Sequence, residues 1–284
     1  MLFIIGVIIV CACVSGGYVL SHGQMGALWQ PYEVLIICGA AFGAFVISNP
    51  MPVIKQSFGG VVAILKGSKY NRALYLDLLS MMFAVLTKAR KDGMMAIEAD
   101  IDDPAASPIF SKYPKVVGDH HVMEFICDYL RMMVGGNMNP FELENLMDVE
   151  LKTHHEEIEQ APTAINKVSE ALPGFGIVAA VLGIVITMAS LDQPPEVIGH
   201  HVAAALVGTF LGILFAYGFV GPMAISMEHL NREEAKFYQC IKVTLLASMN
   251  GYNPQVAVEF GRKAMYSSFR PSFTELEEHV KNQG

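Results

Sequence analysis

The sequence predicts an all-α polytopic membrane protein with four transmembrane helices and a cytoplasmic helical domain. Three observations carry that expectation. Four apolar runs have the length of a membrane span, two long polar segments read at helical spacing, and β-branched alternation is scarce. Crossing a bilayer as a helix takes about 20 consecutive apolar residues. The chain has 284 residues, is 53% hydrophobic and has a mean hydropathy of +0.41, which combines membrane and polar parts. A formal net charge of −8 without a basic cluster argues against a nucleic-acid partner. Cys11, Cys13 and Cys38 fall in apolar runs, and Cys127 and Cys240 fall in polar segments. An odd count without metal-ligand spacing reads as reduced structural thiols.

Residues 1–48 hold the first two spans and a short periplasmic loop. Leu2 to Leu20 has no Lys or Arg ahead of it, so it reads as a retained helix and not a cleaved leader. Trp29 and Tyr32 suit a membrane interface. The second run, Pro31 to Ser48, presents Gly39 and Gly43 as a small-residue face. Glu33 stands at its outer edge and reads as a solvated interface residue, because acids that act within membranes lie deeper.

Residues 49–171 form the cytoplasmic helical domain. Leu74, Leu78, Met82, Val85 and Leu86 recur at helical spacing, and Gly93 suits a helix end. A loop from Asp102 to Pro114 precedes a helix over Val116–Val134. Asn139-Pro140-Phe141-Glu142 combines an Asn cap, a first-turn proline and an acid three residues after the cap. It starts a helix predicted to run to about Gln160, with Pro162 interrupting before the membrane.

Residues 172–222 form a hairpin of the third and fourth spans. Neither LPGFGIVAAVLGIVITMASL nor VAAALVGTFLGILFAYGFVGP contains Asp, Glu, Lys, Arg or His. Ala204, Gly208, Gly212 and Ala216, four apart, place a small-residue groove on one face. Thr187, Ser190, Thr209 and Tyr217 are isolated hydroxyls. Such groups bond back to their own helix or line a polar path, and the sequence leaves both open. Pro173 begins the third span and Pro222 ends the fourth, both at the cytosolic end. As helix boundaries they need no further role; as a pair at one depth they suit a hinge or gate. Residues 223–284 supply C-terminal helices, the first from about Ala224 to Ser248.

Orientation follows from basic residues. Of the 19 Lys and Arg, 12 lie in 49–171 and seven in 223–284, with none in the loops 21–31 and 192–201. Both polar segments and both termini are therefore expected in the cytoplasm.

Familiar catalytic motifs are absent, and the chain reads as a non-enzyme. His120-His121 and His154-His155-Glu156-Glu157 are consecutive residues that point in different directions on a helix, so they read as solvated faces. His200 and His201 sit at the outer mouth. No span supplies an ionisable residue at depth. Either a partner helix brings a carboxylate or the chain conducts nothing.

Five stretches then resemble the MotA family of flagellar stator subunits, whose wider membership includes the ExbB and TolQ energising proteins. They are SKYNRALYLDLL, LPGFGIVAAVLGIV, LVGTFLGILFAYGF, CIKVTLLASMNGYNP and EFGRKAMYSSFRPSFTELEEHV. The last block, beyond the fourth span, separates the stator subunits from shorter-tailed relatives. The resemblance implies a multi-pass protein of the bacterial inner membrane and a homopentamer around two copies of MotB. MotB would supply the ion-carrying aspartate and a peptidoglycan anchor, and FliG of the rotor would receive the torque. It implies rotor contact by Arg90 and Glu98, in KARKDGMMAIEAD. It assigns coupling of ion passage to movement to Pro173 and Pro222, and the path wall to Thr209 and Tyr217. Sodium-driven members tend to carry a further hydroxyl where this chain has Ala180. With Ile177 and Val178 nearby, the path is expected to pass protons, although Thr187 keeps one hydroxyl in that helix. No cofactor is implied. The alternatives are an ExbB/TolQ-type energiser of outer-membrane processes and a membrane scaffold without transport.

Overall fold

A computed structural model describes residues 2–136 and 138–283, the side chains of 282 and 283 excepted. Among the described residues there are helices and turns and no strand. In chain order the α-helices are α1 (Leu2–Leu20), α2 (Met25–Leu28), α3 (Pro31–Ser48), α4 (Met51–Lys66), α5 (Arg72–Asp92), α6 (Glu98–Asp102), α7 (Pro114–Val117) and α8 (His120–Gly135). They continue with α9 (Pro140–Met188), α10 (Pro195–Leu214), α11 (Gly221–Met249), α12 (Pro254–Ala264) and α13 (Phe273–Gln283). A π-helical segment, Phe215–Val220, joins α10 to α11. Four helical stretches are long and apolar enough to cross a membrane: Leu2–Leu20, Met25–Ser48, Pro140–Met188 and Pro195–Met249.

The chain divides into two compact units, Met1–Gly67 with Glu157–Leu230, and Ser68–Glu156 with Asn231–Gly284. Helices α9 and α11 each contribute residues to both.

In the first unit α1 is apolar on every side and buries none of its residues within the chain. A helix of that kind is covered by lipid or by another chain. By contrast α4 is amphipathic, burying Val53, Ser57 and Ile64. Val53 packs with Phe45 and Ala164, and Ile64 packs with Ala161 and Met227. The predicted break at Pro162 does not occur. Both Pro162 and Pro173 lie inside α9, which runs unbroken across the expected boundary at 171/172. Interior prolines remove one backbone bond each, and neighbouring helices make them tolerable in membrane segments. Here the turns beside them are packed: Ala161 and Ala164 are buried next to Pro162, and Leu172 is buried next to Pro173. Pro173 thus lies within its helix and does not begin it.

In the second unit one core joins α5, α8, α11, α12 and the turns between them, around Tyr75, Leu78, Leu79, Met82, Leu86, Phe110, Tyr129 and Phe237. The predicted helix over 116–134 is two, because the chain turns at Gly118-Asp119 between α7 and α8. Asn139 and Glu142 form the expected reciprocal cap, Glu142 N–H donating to Asn139 Oδ1 at 2.9 Å and Asn139 N–H to Glu142 Oε2 at 3.0 Å. Cys127 and Cys240 are buried free thiols, and burial pushes the Cys127 thiol up to about 11.

The C-terminal block is pinned by charge. Arg262, 7% exposed, grips Glu259 at 2.7 and 2.5 Å and donates to Pro271 O at 2.8 Å. Glu275 caps α13 with Ser272 and pairs with Arg72. The Arg262 hydrogen bond holds the Glu259 carboxyl below its ordinary value of 4.5, and the Arg72 bond acts likewise on Glu275. A carboxyl depressed in the folded state adds stability above its unfolded pKa, and this is lost as pH falls through the folded value. Glu259→Gln is therefore expected to speed amide exchange in residues 254–276 at pH 7. The gap from the parent should close as the pH drops below 4.5. A gap that persists undiminished in acid would show that the pair's charge is not what anchors the block.

Candidate functional site

In the first unit the candidate residues gather on α9, α10 and the π segment. The two helices meet backbone to backbone. A methyl group at Gly176 would lie 3.1 Å from Gly208 O and 3.2 Å from Gly212 Cα. One at Gly212 would lie 2.8 Å from Leu172 O and 2.9 Å from Gly176 Cα. Only hydrogen fits at such positions, and this is how small residues let membrane helices approach. The predicted groove holds with one shift. Gly208, Gly212 and Ala216 are buried as expected, but Ala205, not Ala204, meets Gly183, where a Cβ would stand 2.8 Å from its own. Gly39 and Gly43 face open space within the chain.

Thr187 is buried and its hydroxyl donates to Gly183 O at 2.8 Å. Ser190 does the same to Ile186 O at 2.9 Å. Both hydroxyls are taken up by their own helix. Thr209 and Ala180 are half-buried, one residue along from the buried Gly208 and Ala179. Tyr217 is 72% exposed, and Ile177, Val178, Val181 and Val185 are exposed on α9. These side chains are unpacked by the chain itself and remain available to a neighbour.

Pro222 does not end a helix. It follows the π segment, and α11 continues past it to Met249. A proline crowds the carbonyl four residues back and offers no N–H. The wider turn ahead of it changes the bonding pattern there: Gly221 N–H reaches Ala216 O, which also accepts the buried Ser169 hydroxyl at 2.9 Å. Single wide turns within helices are rare and concentrate at functional sites. Pro173 and Pro222 therefore flank a continuous pair of helices, each at a place where the backbone ladder is altered.

Glu33 corrects the sequence reading. It is not solvated: it is 8% exposed, and its Oε2 has no hydrogen-bond partner. The carboxyl lies on the bare backbone of Gly208, where a Cβ would come within 3.0 Å of Oε2 and 3.3 Å of Ala179 Cβ. Its place in the first turn of α3 is as expected; its burial is not.

In the second unit Arg90 ends α5 and Glu98 opens α6. Gly93, at φ +93°, turns the chain between them. Both side chains are exposed. Among the described residues neither has an ion-pair partner. The turn beneath them is fixed by Asp100, 3% exposed, which accepts from Lys88 Nζ at 2.6 Å and from Ser107 Oγ at 2.7 Å. Arg131 closes the other side, donating to Ile101 O at 3.1 Å and to Asp102 at 3.4 Å. His120, His121 and Glu124 are exposed, but their ligand atoms all lie within 4.8 Å of one another, so the two imidazoles do not diverge as expected for consecutive helix residues.

Two family descriptions match this chain: Motility protein A N-terminal over residues 4–93, and the MotA/TolQ/ExbB proton channel family over residues 119–239. Motility protein A of Salmonella typhimurium is 47% identical over 281 residues, which is 99% of this chain and 95% of that protein. The chain belongs to the MotA/TolQ/ExbB proton channel family, in its motility protein A branch. Its fold matches the C. jejuni MotAB structure with TM-score 0.76 at 19% identity, covering 93% of this chain and 95% of that one. It matches the flagellar MotAB stator complex of Bacillus subtilis with TM-score 0.72 at 25% identity, covering 90% and 92%. The MotA/TolQ/ExbB match spans Pro173, Ala180, Thr187, Thr209, Tyr217 and Pro222, and the motility protein A N-terminal match spans Glu33 and Arg90.

Proposed function

We infer that the chain is the stator subunit of a bacterial flagellar motor and forms the wall of a proton path. The observation that carries this is the end-to-end 47% identity to motility protein A, which includes the long C-terminal block. In this reading five copies surround two helices of a MotB-type partner in the inner membrane. The partner contributes the titrating aspartate and a cell-wall anchor. Both termini and the second unit face the cytoplasm, where Arg90 and Glu98 engage opposite charges on the rotor protein FliG.

The chemistry of this chain suits that role. A membrane potential supplies about 2.3 kcal/mol per charge per 100 mV, so each step is small. Exposed ion pairs are worth about 0–1 kcal/mol, which suits contacts that form and break at every step. The half-buried Thr209 and the exposed Tyr217 and α9 apolar face are the surfaces offered to the partner helix. Pro173 and Pro222 place altered backbone bonding where α9 and α11 must flex if ion passage is to move the cytoplasmic unit.

Deleting the gene should paralyse cells that still build filaments. Swimming cells with failed iron-complex uptake would point instead to an energiser. For ion identity, replacing sodium by potassium at constant pH should leave swimming speed intact. A stall would reject protons as the coupling ion.

A further inference from the structure

The sequence leaves the hairpin without an ionisable group, yet the structure brings one to it from α3. Glu33 lies in the first turn of that helix, and its carboxyl packs on α10. It reaches Gly208, about 20 Å along α10 from Pro195 at 1.5 Å per residue. The neighbours of that contact are informative. Gly208 precedes Thr209, and Ala179, which also faces Gly208, precedes Ala180. Glu33 thus sits at the level of two residues assigned to the path wall. Its Oε2 is buried and unpartnered. Burying a carboxyl without a partner is costly, and replacing it by a packed apolar residue is often neutral or stabilising. Packing therefore does not explain why an acid stands there. An acid within a membrane segment is by default a functional group.

A second unpartnered polar atom lies on the same helix. His201 Nδ1 is buried without a hydrogen bond, and His201 stands seven residues before Gly208, on the same face and about 10 Å toward the start of α10. The other titratable side chains on the elements around Glu33 are few. Helix α10 carries Glu196 and His200, both exposed; α1 carries Tyr18 and the exposed Cys11 and Cys13; α3 carries the exposed Tyr32 and Cys38; α2 and the Leu172–Met188 stretch of α9 carry no charged or histidine side chain.

We propose that Glu33 is a relay carboxyl of this chain on the ion path, receiving protons from the outer side past His201 and passing them to the partner's acid. The step is a plain proton transfer. A hydronium gives its proton to Glu33 Oε2 and leaves as water; the new O–H then breaks as the proton moves to the next carboxylate. Gly208 is the cradle, since a side chain there would displace Oε2. The inference rests on the reading of the chain as the wall of a proton path.

The test uses the intact complex of this chain with its MotB-type partner in proteoliposomes, with an internal pH dye and an imposed potential. Assembly is checked by native gel. Glu33→Gln should lower proton flux about tenfold or more, the scale of a lost general acid–base group, and Glu33→Asp should stay within about threefold of the parent. Parental flux in an assembled Glu33→Gln complex overturns the relay and leaves the stator reading standing. A parental complex that passes no protons overturns both. If the Gln variant does not assemble, Glu33→Met decides: it fills the same space without an acid, so a similar loss in an assembled complex supports the relay and parental flux rejects it.

Discussion

Gly212→Leu is expected to abolish swimming and to strip most of the protein from the membrane fraction. At this position a Cβ meets two backbone atoms, Leu172 O at 2.8 Å and Gly176 Cα at 2.9 Å. Backbone inside two long helices cannot rotate away as a side chain can. Adding bulk to a tight core typically costs about 1–3 kcal/mol and occasionally more. A leucine here must push α9 and α10 apart along their whole contact, so a cost above about 3 kcal/mol is expected. The separation also pulls Gly208 from Glu33 and shifts Thr209 relative to Ala180, so torque is lost even in surviving protein. Gly43→Ala is the contrast, because a Cβ there meets nothing within 4 Å inside the chain. Swimming speed and membrane abundance, measured together for the two variants, check the claim. A Gly212→Leu strain that swims normally would mean the hairpin does not need this contact.

These variants also mark what one dimension can and cannot reveal. The four spans are legible because lipid imposes length and apolarity on each segment independently. The Asn139–Glu142 cap is legible because both partners are three residues apart. The small-residue groove is legible as a period, but not its exact register: Ala205 replaces Ala204 because the partner helix sets which side is used. Pro162 and Pro173 mislead for the opposite reason. Their local cost is fixed by chemistry, while the packing that outweighs it, around Ala161, Ala164 and Leu172, comes from distant elements. Glu33 reads as solvated because it stands close to a polar loop. What buries it is the missing side chain at Gly208, 175 residues away. An acid in the first turn of an apolar run, in a chain with a glycine-lined partner helix, is the pattern that hints at it. The clamp under Arg90 and Glu98 had no sequence signature, because Lys88, Asp100 and Ser107 are ordinary residues until Gly93 folds them together.

That clamp carries the second large effect. Asp100→Ala should loosen the segment from Met94 to Phe110, which carries Glu98, while leaving the Arg90 and Glu98 side chains themselves unaltered. Removing one partner of a buried ion pair costs about 3–5 kcal/mol, and Lys88, a third exposed at 33%, recovers part of that through water. A net loss of about 2–4 kcal/mol follows, equal to roughly thirty- to a thousandfold more local opening. Ser107 loses its carboxylate acceptor as well, although its Oγ still accepts from the N–H groups of Ile109 and Phe110 at 3.2 Å. The loop then stays attached at one end and is released at the other. Amide exchange over residues 94–110 in the assembled complex reads this directly, and motor torque at high load reads its consequence. Asp100→Asn, which can still accept from Ser107 but carries no charge for Lys88, should fall between parent and Ala in both. If exchange rises as expected while torque is unchanged, the positions of Arg90 and Glu98 are not what transmits force. If neither moves, the turn is held by the Arg131 contacts to Ile101 and Asp102, and the buried pair is incidental to it.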